Sequence, residues 1–345
     1  MKVDYIIVGQ GLAGVNFCHL LLKQNKSFVV FDDNSQQSST VAGGLYNPVV
    51  LKRFTPVWKS DKQLELVNRV YNDLEAYLET TLDYKLPVKR LFNSVEEQNN
   101  WFVAADKYGL QKYLSPKICS NNNVAVPAPY GLGEVLHTGR IDTEHLLVTF
   151  KNKLESTYIN ESFNYDDLII KEDYVIYKDI QAKSIVFCEG FGLKKNPYFN
   201  YLPLNGTKGE LLTIHAPDLK IDFVLKSSAF LIPLGDDYYT VGATYNWTDK
   251  TNKPSEEGKK ELLDKLNTFI QCDFKVVNQK AGIRPTVKDR RPLVGQHPKY
   301  NNLYVLNGLG TRGVMIAPYV AQQLYNLIEK DVNLEEEINV TRFSS

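Results

Sequence analysis

The sequence has few of the residues that characterise disulfide-rich, metal-binding or membrane-spanning proteins. Only four of its 345 residues are cysteines, and they are far apart, with no CxxC pair and no histidine at a metal-ligand spacing. Cys18 and Cys188 lie in apolar segments that predict a helix and a strand. We therefore expect buried thiols and no metal site. No apolar run approaches the roughly 18 residues of a membrane-spanning helix, so no membrane partner is expected.

The sequence also has no excess of positively or negatively charged residues. Forty basic residues balance forty acidic ones, which gives no indication of a nucleic-acid-binding surface. The five histidines form no triad-like grouping, and in such contexts each is more often structural than catalytic. An apolar strand begins at residue 2 or 3 and leaves no room for a signal peptide, so a cytoplasmic location is expected.

What the sequence does contain is a nucleotide-binding pattern in its first 33 residues. A β-branched apolar run over residues 2–8 leads directly into GQGLAG at 9–14, and residues 15–23 place apolar side chains along one side of a helix. A second apolar run then ends at Asp32 and Asp33. Strand, glycine-rich turn, helix, strand and terminal acid together predict a βαβ dinucleotide-binding unit.

Each glycine of this turn has its own physical reason. Gly9 suits a tight turn, Gly11 lets the backbone approach a pyrophosphate, and Gly14 permits close packing of helix on strand. The free N–H groups and dipole at the helix start favour phosphate. Asp32 stands where a carboxylate accepts hydrogen bonds from ribose hydroxyls, and an acid there argues against a 2′-phosphate. The candidates are FAD or NAD, not NADP.

A second glycine-rich turn lies near the other end of the chain. An apolar strand over 303–307 precedes GLGTRG at 308–313, and a helix is predicted over 314–330. A helix start rich in N–H groups can stabilise the negative charge of a reduced flavin. A purely structural turn is the alternative.

The order of predicted elements indicates an α/β fold with two interleaved domains. The apolar strand over 184–190 suggests that the dinucleotide domain resumes there, whereas β runs between 206 and 245 suggest an antiparallel sheet. A long amphipathic helix is predicted over 60–82. We therefore predict a Rossmann-like FAD- or NAD-binding domain and an α+β substrate domain with an antiparallel sheet. Their segments are 1–82, 137–202 and 283–345 for the first domain, and 83–136 and 203–282 for the second.

These motifs, taken in chain order, resemble the FAD-dependent D-amino acid oxidase superfamily, and most of all its glycine oxidase and sarcosine-oxidase-like members. STVAGG at 39–44 resembles the family's small-residue segment against the flavin, and GRID at 139–142 resembles the turn before a later helix. VFCEG at 186–190 resembles a family strand that usually has alanine where Cys188 or Glu189 stands. AGIRP at 281–285 is the most specific match after the first glycine turn.

The resemblance implies FAD as the cofactor. Family members with covalent flavin carry a cysteine before the final glycine turn, and residues 285–307 contain none, so non-covalent FAD is expected. The expected cofactor-binding positions are Gly9, Gly11, Leu12, Ala13, Gly14, Asp32, Asp33, Ser39, Thr40, Ala42, Gly43, Gly44, Gly190, Gly308, Gly310, Thr311, Arg312, Gly313 and Val314.

The resemblance also implies a substrate site. In glycine oxidase and D-amino acid oxidase, the arginine that matches Arg284 clamps the substrate carboxylate, a task that suits a bidentate guanidinium. Arg312, facing flavin or substrate, and Tyr245 are further candidates, while a packing role for Arg284 is the alternative. The expected reaction is hydride transfer from the carbon next to a neutral amine to flavin N5, which yields an imine that water hydrolyses and requires no side-chain base.

Other functions stay open at this point. GLGTRG at 308–313 with Ala317 and Pro318, and GATY at 242–245, look like the FAD domain of a bifunctional enzyme that removes a carboxymethyl group from a tRNA wobble uridine. With no basic surplus, a nucleic-acid partner is not favoured. A dehydrogenase of a hydroxy acid or polyol phosphate and a non-catalytic flavin-binding protein are further alternatives. The electron acceptor, oxygen or another carrier, and the formation of homo-oligomers are not fixed by the sequence.

Overall fold

The first 31 residues fold as the predicted strand, helix and strand. In the computed structural model, which describes residues 1–343, these are β1 (Lys2–Val8), α1 (Leu12–Lys23) and β2 (Phe28–Phe31). All four residues of β2 and the last four of β1 are buried. Phe17 and Leu21 of α1 are fully buried, and burying each such side chain stabilises the fold by about 1.5–3 kcal/mol.

The remaining elements follow in chain order. Up to residue 154 they are β3 (Leu45–Tyr46), β4 (Val49–Val50), β5 (Thr55–Pro56), α2 (Ser60–Leu78), β6 (Asp83–Tyr84), β7 (Val88–Leu91), α3 (Val95–Ala105), β8 (Leu114–Cys119), β9 (Leu132–Val135), β10 (Gly139–Ile141) and α4 (Thr143–Leu154). They continue with β11 (Tyr158–Ile159), β12 (Leu168–Ile170), β13 (Val175–Tyr177), β14 (Ile180–Phe187), β15 (Thr207–His215), β16 (Val224–Lys226), β17 (Phe230–Gly235), β18 (Tyr238–Gly242), α5 (Glu256–Leu266), β19 (Lys275–Arg284), β20 (Leu293–Gln296), β21 (Leu303–Asn307) and α6 (Gly313–Lys330).

The first large sheet is built on parallel strands from distant parts of the chain. β1 pairs in parallel with both β2 and β14, and β14 pairs in parallel with β21. The register places Val8 beside Phe187 and Phe187 beside Val305. Because carboxyl ends of parallel strands meet at one sheet edge, the segments that follow β1, β14 and β21 lie side by side, where α/β folds bind ligands.

The second large sheet has eight strands in the order β19, β15, β18, β17, β16, β7, β9 and β8. Neighbouring strands are antiparallel except for β16 and β7. One face carries an apolar cluster that includes Leu212 and Leu231 and packs against Leu262 and Leu266 of α5. Since side chains alternate along a strand, the other face is free to line a cleft.

Three helices cover the first sheet. α1 packs against α6, and α6 packs against α2, within one cluster of buried residues that includes Phe17, Val67, Tyr71 and Leu324. The predicted helix over 60–82 ends earlier than expected, at Leu78, because Glu79 adopts a left-handed backbone with φ of 55°. A left-handed residue closes a helix because it turns the chain away from the next hydrogen bond.

The domain bounds predicted from the sequence stay a prediction. β7, β8 and β9 join β15 to β19 in one sheet, whereas β6 pairs with β10 and β10 with β3 in a small three-stranded sheet. The predicted boundary between residues 282 and 283 falls inside β19, which continues to Arg284. No helix within residues 1–343 has the length and apolar character needed to cross a bilayer. The same residues contain no group of three or more His, Cys, Asp or Glu side chains placed to hold a metal ion.

Candidate active site

A large cleft lies between the carboxyl edge of the first sheet and the free face of the second. Its volume is about 1510 Å³, above the roughly 300–1,000 Å³ of most small-molecule pockets. Both glycine-rich turns line it, together with the ends of β2 and β14, the loop over 36–45 and the inner face of β15 to β19. The cleft can therefore hold an extended ligand and a smaller second one.

The first glycine-rich turn is shaped by close packing. Gly9 has φ of +96°, and a Cβ there would lie 2.6 Å from the backbone oxygen of Cys188. A Cβ on Gly14 would lie 2.1 Å from the carbonyl oxygen of Gly9. Gly11 is the N-cap residue of α1 and supplies no side chain to its first N–H groups. The turn thus places the start of α1 at the cleft, where the N–H groups of a helix start can hold a phosphate.

The acidic residues after β2 occupy one end of the cleft. The Asp32 carboxylate accepts backbone N–H groups from Gln10 and Asn34, the latter at 2.6 Å, and burial raises its pKa despite these bonds. The Asp33 carboxylate accepts the Ser35 N–H at 2.9 Å. A carboxylate offers about four lone-pair sites, so Asp32 retains acceptor capacity for hydroxyl groups of a ligand.

The small-residue loop over 39–44 lies between the start of α1, the second large sheet and β10. Ser39 accepts the Leu12 N–H from the start of α1 at 3.1 Å. A Cβ on Gly43 would lie 2.9 Å from Ile232 of the second sheet, and one on Gly44, which has φ of +72°, would lie 1.9 Å from the Ile141 carbonyl oxygen. Ser39, Thr40, Ala42, Gly43 and Gly44 all line the cleft. Because these residues are small, the backbone of the loop can lie close to a ligand in the cleft.

The end of β14 contributes a buried carboxyl group. Glu189 accepts a hydrogen bond from the Tyr165 hydroxyl and one from the Asn196 amide at 2.8 Å. Burial raises the pKa of Glu189 to about 7. Gly190, with φ of +53°, follows, and its carbonyl accepts the Asn307 amide at 3.0 Å, which ties β14 to the end of β21.

The second glycine-rich turn connects β21 to α6. Gly308 and Gly310 have φ of +73° and +59°. A Cβ on Gly313 would lie 3.1 Å from Leu12, so the starts of α1 and α6 are in contact, whereas a Cβ on Gly310 would meet nothing within 4 Å. Leu309, Gly310, Thr311, Arg312, Gly313 and Val314 line the cleft, while Gly308 packs behind it against Val287 and Leu293.

The three substrate-site candidates converge from separate parts of the chain. The Arg284 guanidinium carbon lies 4.6 Å from the centre of the Tyr245 ring, and Arg284 donates to the Thr244 carbonyl at 3.2 Å. Arg312 donates to the Asn47 carbonyl at 2.8 Å. Burial lowers the pKa of both arginines, and Tyr245 acts on both in the opposite direction. All three side chains line the cleft.

Neither guanidinium has a neutralising carboxylate in the part of the chain that the structure describes. Within residues 1–343, Arg284 and Arg312 form no ion pair, and the hydrogen bonds given above are made to carbonyl oxygens. A guanidinium carries five N–H donors, so each keeps donors for a ligand. An unpaired buried cation is costly unless an anion joins it. Each guanidinium therefore keeps positive charge and free donors that an anionic ligand in the cleft could use.

Two features of this site were missed by the sequence reasoning. A Cβ on Gly209 would lie 1.9 Å from the Arg284 guanidinium, so this glycine provides the space that Arg284 fills. A glycine inside a strand pattern is a signal for such close approach. Lys226 also lines the cleft, and nothing in the local sequence distinguishes it from a surface lysine.

The residues present fit a flavin dinucleotide. The crowded Gly9 and Gly14 form a cradle that any side chain would fill, Asp32 keeps acceptor capacity, and the cleft continues from this end to Arg284. The phosphates would lie at the start of α1, the adenosine beside Asp32, and the isoalloxazine ring near the 39–44 loop and the second turn.

Comparisons with known proteins agree with this arrangement. The sequence profile of the DAO family, described as FAD dependent oxidoreductase, matches residues 4–327. Glycine oxidase from Bacillus subtilis is 23% identical over 96% of this chain and 95% of its own length. The tRNA 5-methylaminomethyl-2-thiouridine biosynthesis bifunctional protein MnmC from Legionella pneumophila is 22% identical over 95% of this chain, which spans only 54% of that protein.

Solved structures share the fold over nearly the whole chain. Iminodiacetate oxidase from Chelativorans sp. BNC1 matches with a TM-score of 0.80 at 17% identity, covering 97% of this chain and 98% of that one. Glycine oxidase from Geobacillus kaustophilus matches with a TM-score of 0.78 at 17% identity, covering 99% and 98%. At this identity the likeness establishes the fold alone, and it confirms the predicted α/β class with a Rossmann-like unit and an antiparallel sheet.

Proposed function

This chain belongs to the DAO family of FAD-dependent oxidoreductases, and from that premise we propose that it oxidises the C–N bond of a small amine or amino acid bearing a carboxylate. The family, the enzyme class and the FAD cofactor predicted from the sequence are confirmed by the family match. The substrate, the residue roles, the non-covalent attachment of FAD, the electron acceptor, the cytoplasmic location and any homo-oligomer stay predictions.

The observation that supports this substrate class is the unpaired Arg284. Its guanidinium stacks on Tyr245 and fills the space above Gly209. It donates one hydrogen bond to the Thr244 carbonyl and has no carboxylate partner within residues 1–343. The planar fork of arginine suits a carboxylate because both oxygens can be bound at once. We assign Arg284 the substrate carboxylate.

Tyr245 and Arg312 are assigned supporting roles at the same end of the cleft. Tyr245 is 58% exposed, so its ring can both stack under Arg284 and contact a ligand that enters. Arg312 belongs to the second glycine turn and is fixed to Asn47. It adds a further positive charge to the cleft, which would favour an anionic substrate and help to orient it.

The chain's contribution to the chemistry is positioning and electrostatics. Bound FAD supplies the two-electron acceptor. Arg284 and Tyr245 would hold the carboxylate so that the adjacent carbon is presented in one orientation, and the N–H groups at the start of α6 would favour developing negative charge. No histidine lines the cleft within residues 1–343, which agrees with oxidation of an amine that enters in its neutral form.

Names of the relatives are compatible with this class. Glycine oxidase and a D-amino acid oxidase from Dugesia ryukyuensis, which is 22% identical over 83% of this chain, act on amino acids as their names state. The alternative reaction, oxidation of a hydroxy acid or polyol phosphate, would also use a bound anion. A direct test must therefore compare amines with alcohols.

The test is anaerobic mixing of the FAD-loaded protein with glycine, sarcosine, D-alanine, D-proline, lactate and glycerol phosphate. We expect at least one amine, and no alcohol, to bleach the flavin absorbance. Arg284→Met should raise the amine concentration for half-maximal bleaching far more than it lowers the limiting rate. Arg290→Met, an exposed arginine in the same region, is the matched control. Bleaching by lactate or glycerol phosphate alone would contradict the proposal.

A further inference from the structure

A further cation, Lys226, faces the cleft from the middle of the second large sheet. Arg90, Lys226, Phe230, Gly242 and Leu211 form one row of directly paired residues across β7, β16, β17, β18 and β15. Side chains of directly paired residues lie on the same face of a sheet. Lys226, Phe230, Gly242 and Leu211 all line the cleft. The row is therefore part of the cleft floor.

Arg284 rises from the same face. It follows Gly282 by two residues in β19, and Gly282 pairs with Gly209, which precedes Leu211 of the row by two. The Arg284 guanidinium lies over Gly209, three strands away from Lys226. With strands about 4.8 Å apart and the two positions offset by two residues along the strand, the two cations are separated by roughly 16 Å at the level of the sheet.

Lys226 has no anionic partner within residues 1–343. Its ammonium group donates to the Ser227 carbonyl and lies 4.9 Å from the centre of the Phe230 ring. An ammonium has three donors, so donors remain. Lys226 is partly buried and forms no ion pair within residues 1–343, and a partly desolvated cation in that state is stabilised when an anion binds.

The charges that face Lys226 are themselves positive. Burial, followed by the charges of Arg90 and Lys265, lowers the pKa of Lys226 to about 8. Arg90 of β7 lies 3.6 Å from Glu97 and donates to the Leu51 carbonyl at 2.9 Å, and Lys265 of α5 pairs with Glu261. Arg90 and Lys265 thus each have an acidic partner. Lys226 forms no ion pair with either Glu97 or Glu261.

We propose that Lys226 forms a second anion-binding subsite, and that the substrate is an amine with an anionic group at each end. One end is the carboxylate held by Arg284, and the other is a carboxylate or phosphate held by Lys226. This inference rests on the proposed function, because it takes Arg284 as the carboxylate clamp. Phe230, between the two ends of the row, offers an apolar surface for the chain that joins the two anions.

The test measures the binding of unreactive ligands of graded length. Binding is detected through the change that each ligand causes in the flavin absorbance. Linear α,ω-dicarboxylates from glutarate to sebacate are compared with monocarboxylates of the same length and with ω-phosphonocarboxylates. We expect at least one doubly anionic ligand of intermediate or greater length to bind roughly tenfold or more tightly than its monocarboxylate, as a charged hydrogen bond provides. The dicarboxylate and phosphonate series distinguish the two kinds of distal anion.

Lys226→Met should remove this preference and leave monocarboxylate affinity and FAD content unchanged. Lys89→Met is the matched control: Lys89 is the neighbour of Arg90 in β7, and its ammonium lies 4.4 Å from Phe223 and does not line the cleft. This control should keep the preference.

The possible failures are distinguishable. If monocarboxylates bind in an Arg284-dependent manner but doubly anionic ligands bind no more tightly, the Lys226 subsite is wrong and the proposed function stands. Loss of FAD from Lys226→Met with the preference retained would also overturn the subsite, because Lys226 would then serve the cofactor. If no carboxylate perturbs the flavin, or if Arg284→Met binds them all as wild type does, the carboxylate clamp itself fails, and the subsite fails with it.

Discussion

The two glycine-rich turns have similar sequences and lie side by side, yet Gly9 and Gly14 of the first turn and Gly310 of the second are required for different reasons. In the first turn, a Cβ on Gly9 or Gly14 would lie within 2.6 Å of a backbone oxygen. In the second, Gly310 has a positive φ of +59° and open space around it. The first turn is therefore fixed by packing, whereas Gly310 is required only because the backbone has a positive φ there.

This difference matches what each turn is placed to do. The first turn closes tightly under the predicted phosphates, next to the buried Glu189, where small displacements would misplace several N–H groups together. The second turn opens toward the cleft and carries Arg312, to which we assign a role in binding the substrate. The glycines of the first turn thus allow close backbone packing, whereas those of the second turn position the charged side chain of Arg312.

The largest expected effect comes from Gly14→Ala in the first turn. Its Cβ would lie 2.1 Å from the Gly9 carbonyl oxygen, so α1 must move away from β1. Overpacking costs about 1–3 kcal/mol and occasionally more, and this variant should lie at the upper end because backbone atoms cannot rotate away. We expect the purified variant to lack FAD and to unfold at lower denaturant concentration. Normal flavin content per chain would show that the turn is not fixed by packing.

The next largest effect is expected for Arg312→Met in the second turn. Loss of a charged hydrogen-bond donor costs roughly 1.5–3 kcal/mol, so the affinity for a carboxylate ligand should fall about 10- to 100-fold, while FAD content stays near wild type. The measurement is ligand titration followed in the flavin spectrum. Loss of FAD with unchanged ligand affinity would assign Arg312 to the cofactor and weaken the contrast between the turns.

A smaller effect concerns the pH dependence of stability at the first turn. The pKa of Glu189 is about 7 in the folded state against an ordinary value of 4.5. The folded protein therefore binds the proton of the Glu189 carboxyl group more tightly than the unfolded chain does. The free energy of unfolding should fall by up to about 3 kcal/mol as pH rises from about 4.5 to 7. Denaturant unfolding at saturating FAD over this range should show a shallower slope for Glu189→Gln. An identical slope would contradict this assignment.

The smallest effect is expected for Gly310→Ala, the counterpart of Gly14→Ala. No atom lies within 4 Å of its Cβ position, so only the positive φ is penalised, at about 1 kcal/mol. Flavin content and the rate of flavin reduction should stay near wild type. A loss as severe as that of Gly14→Ala would remove the distinction between the two turns.

Sequence reasoning succeeded where the signal is local. The βαβ unit, both glycine turns and the terminal Asp32 are contiguous patterns, and residues 9 to 33 contain nearly all of the information for one end of the cleft. The substrate end is different: Arg284, Arg312 and Tyr245 are far apart in sequence, and only the resemblance to a family brought them together before the structure did.

Long-range strand pairing explains what the sequence could not indicate. Gly209 makes room for Arg284 because β15 pairs with β19, and Lys226 faces the cleft because β16 is in register with β17. Neither relation leaves a periodic signal, since register depends on the whole sheet. Glu189 appeared only as a departure from the alanine usual in the family, and its burial depends on Tyr165 and Asn196.

The central claim is that Arg284 binds a carboxylate beside the flavin, and titration with acetate tests it most directly. Acetate should perturb the flavin absorbance of the wild-type protein, and Arg284→Met should weaken its binding by about 100-fold, while the control Arg290→Met should not. Equal acetate affinity in wild type and Arg284→Met, with FAD bound to both, would contradict the account.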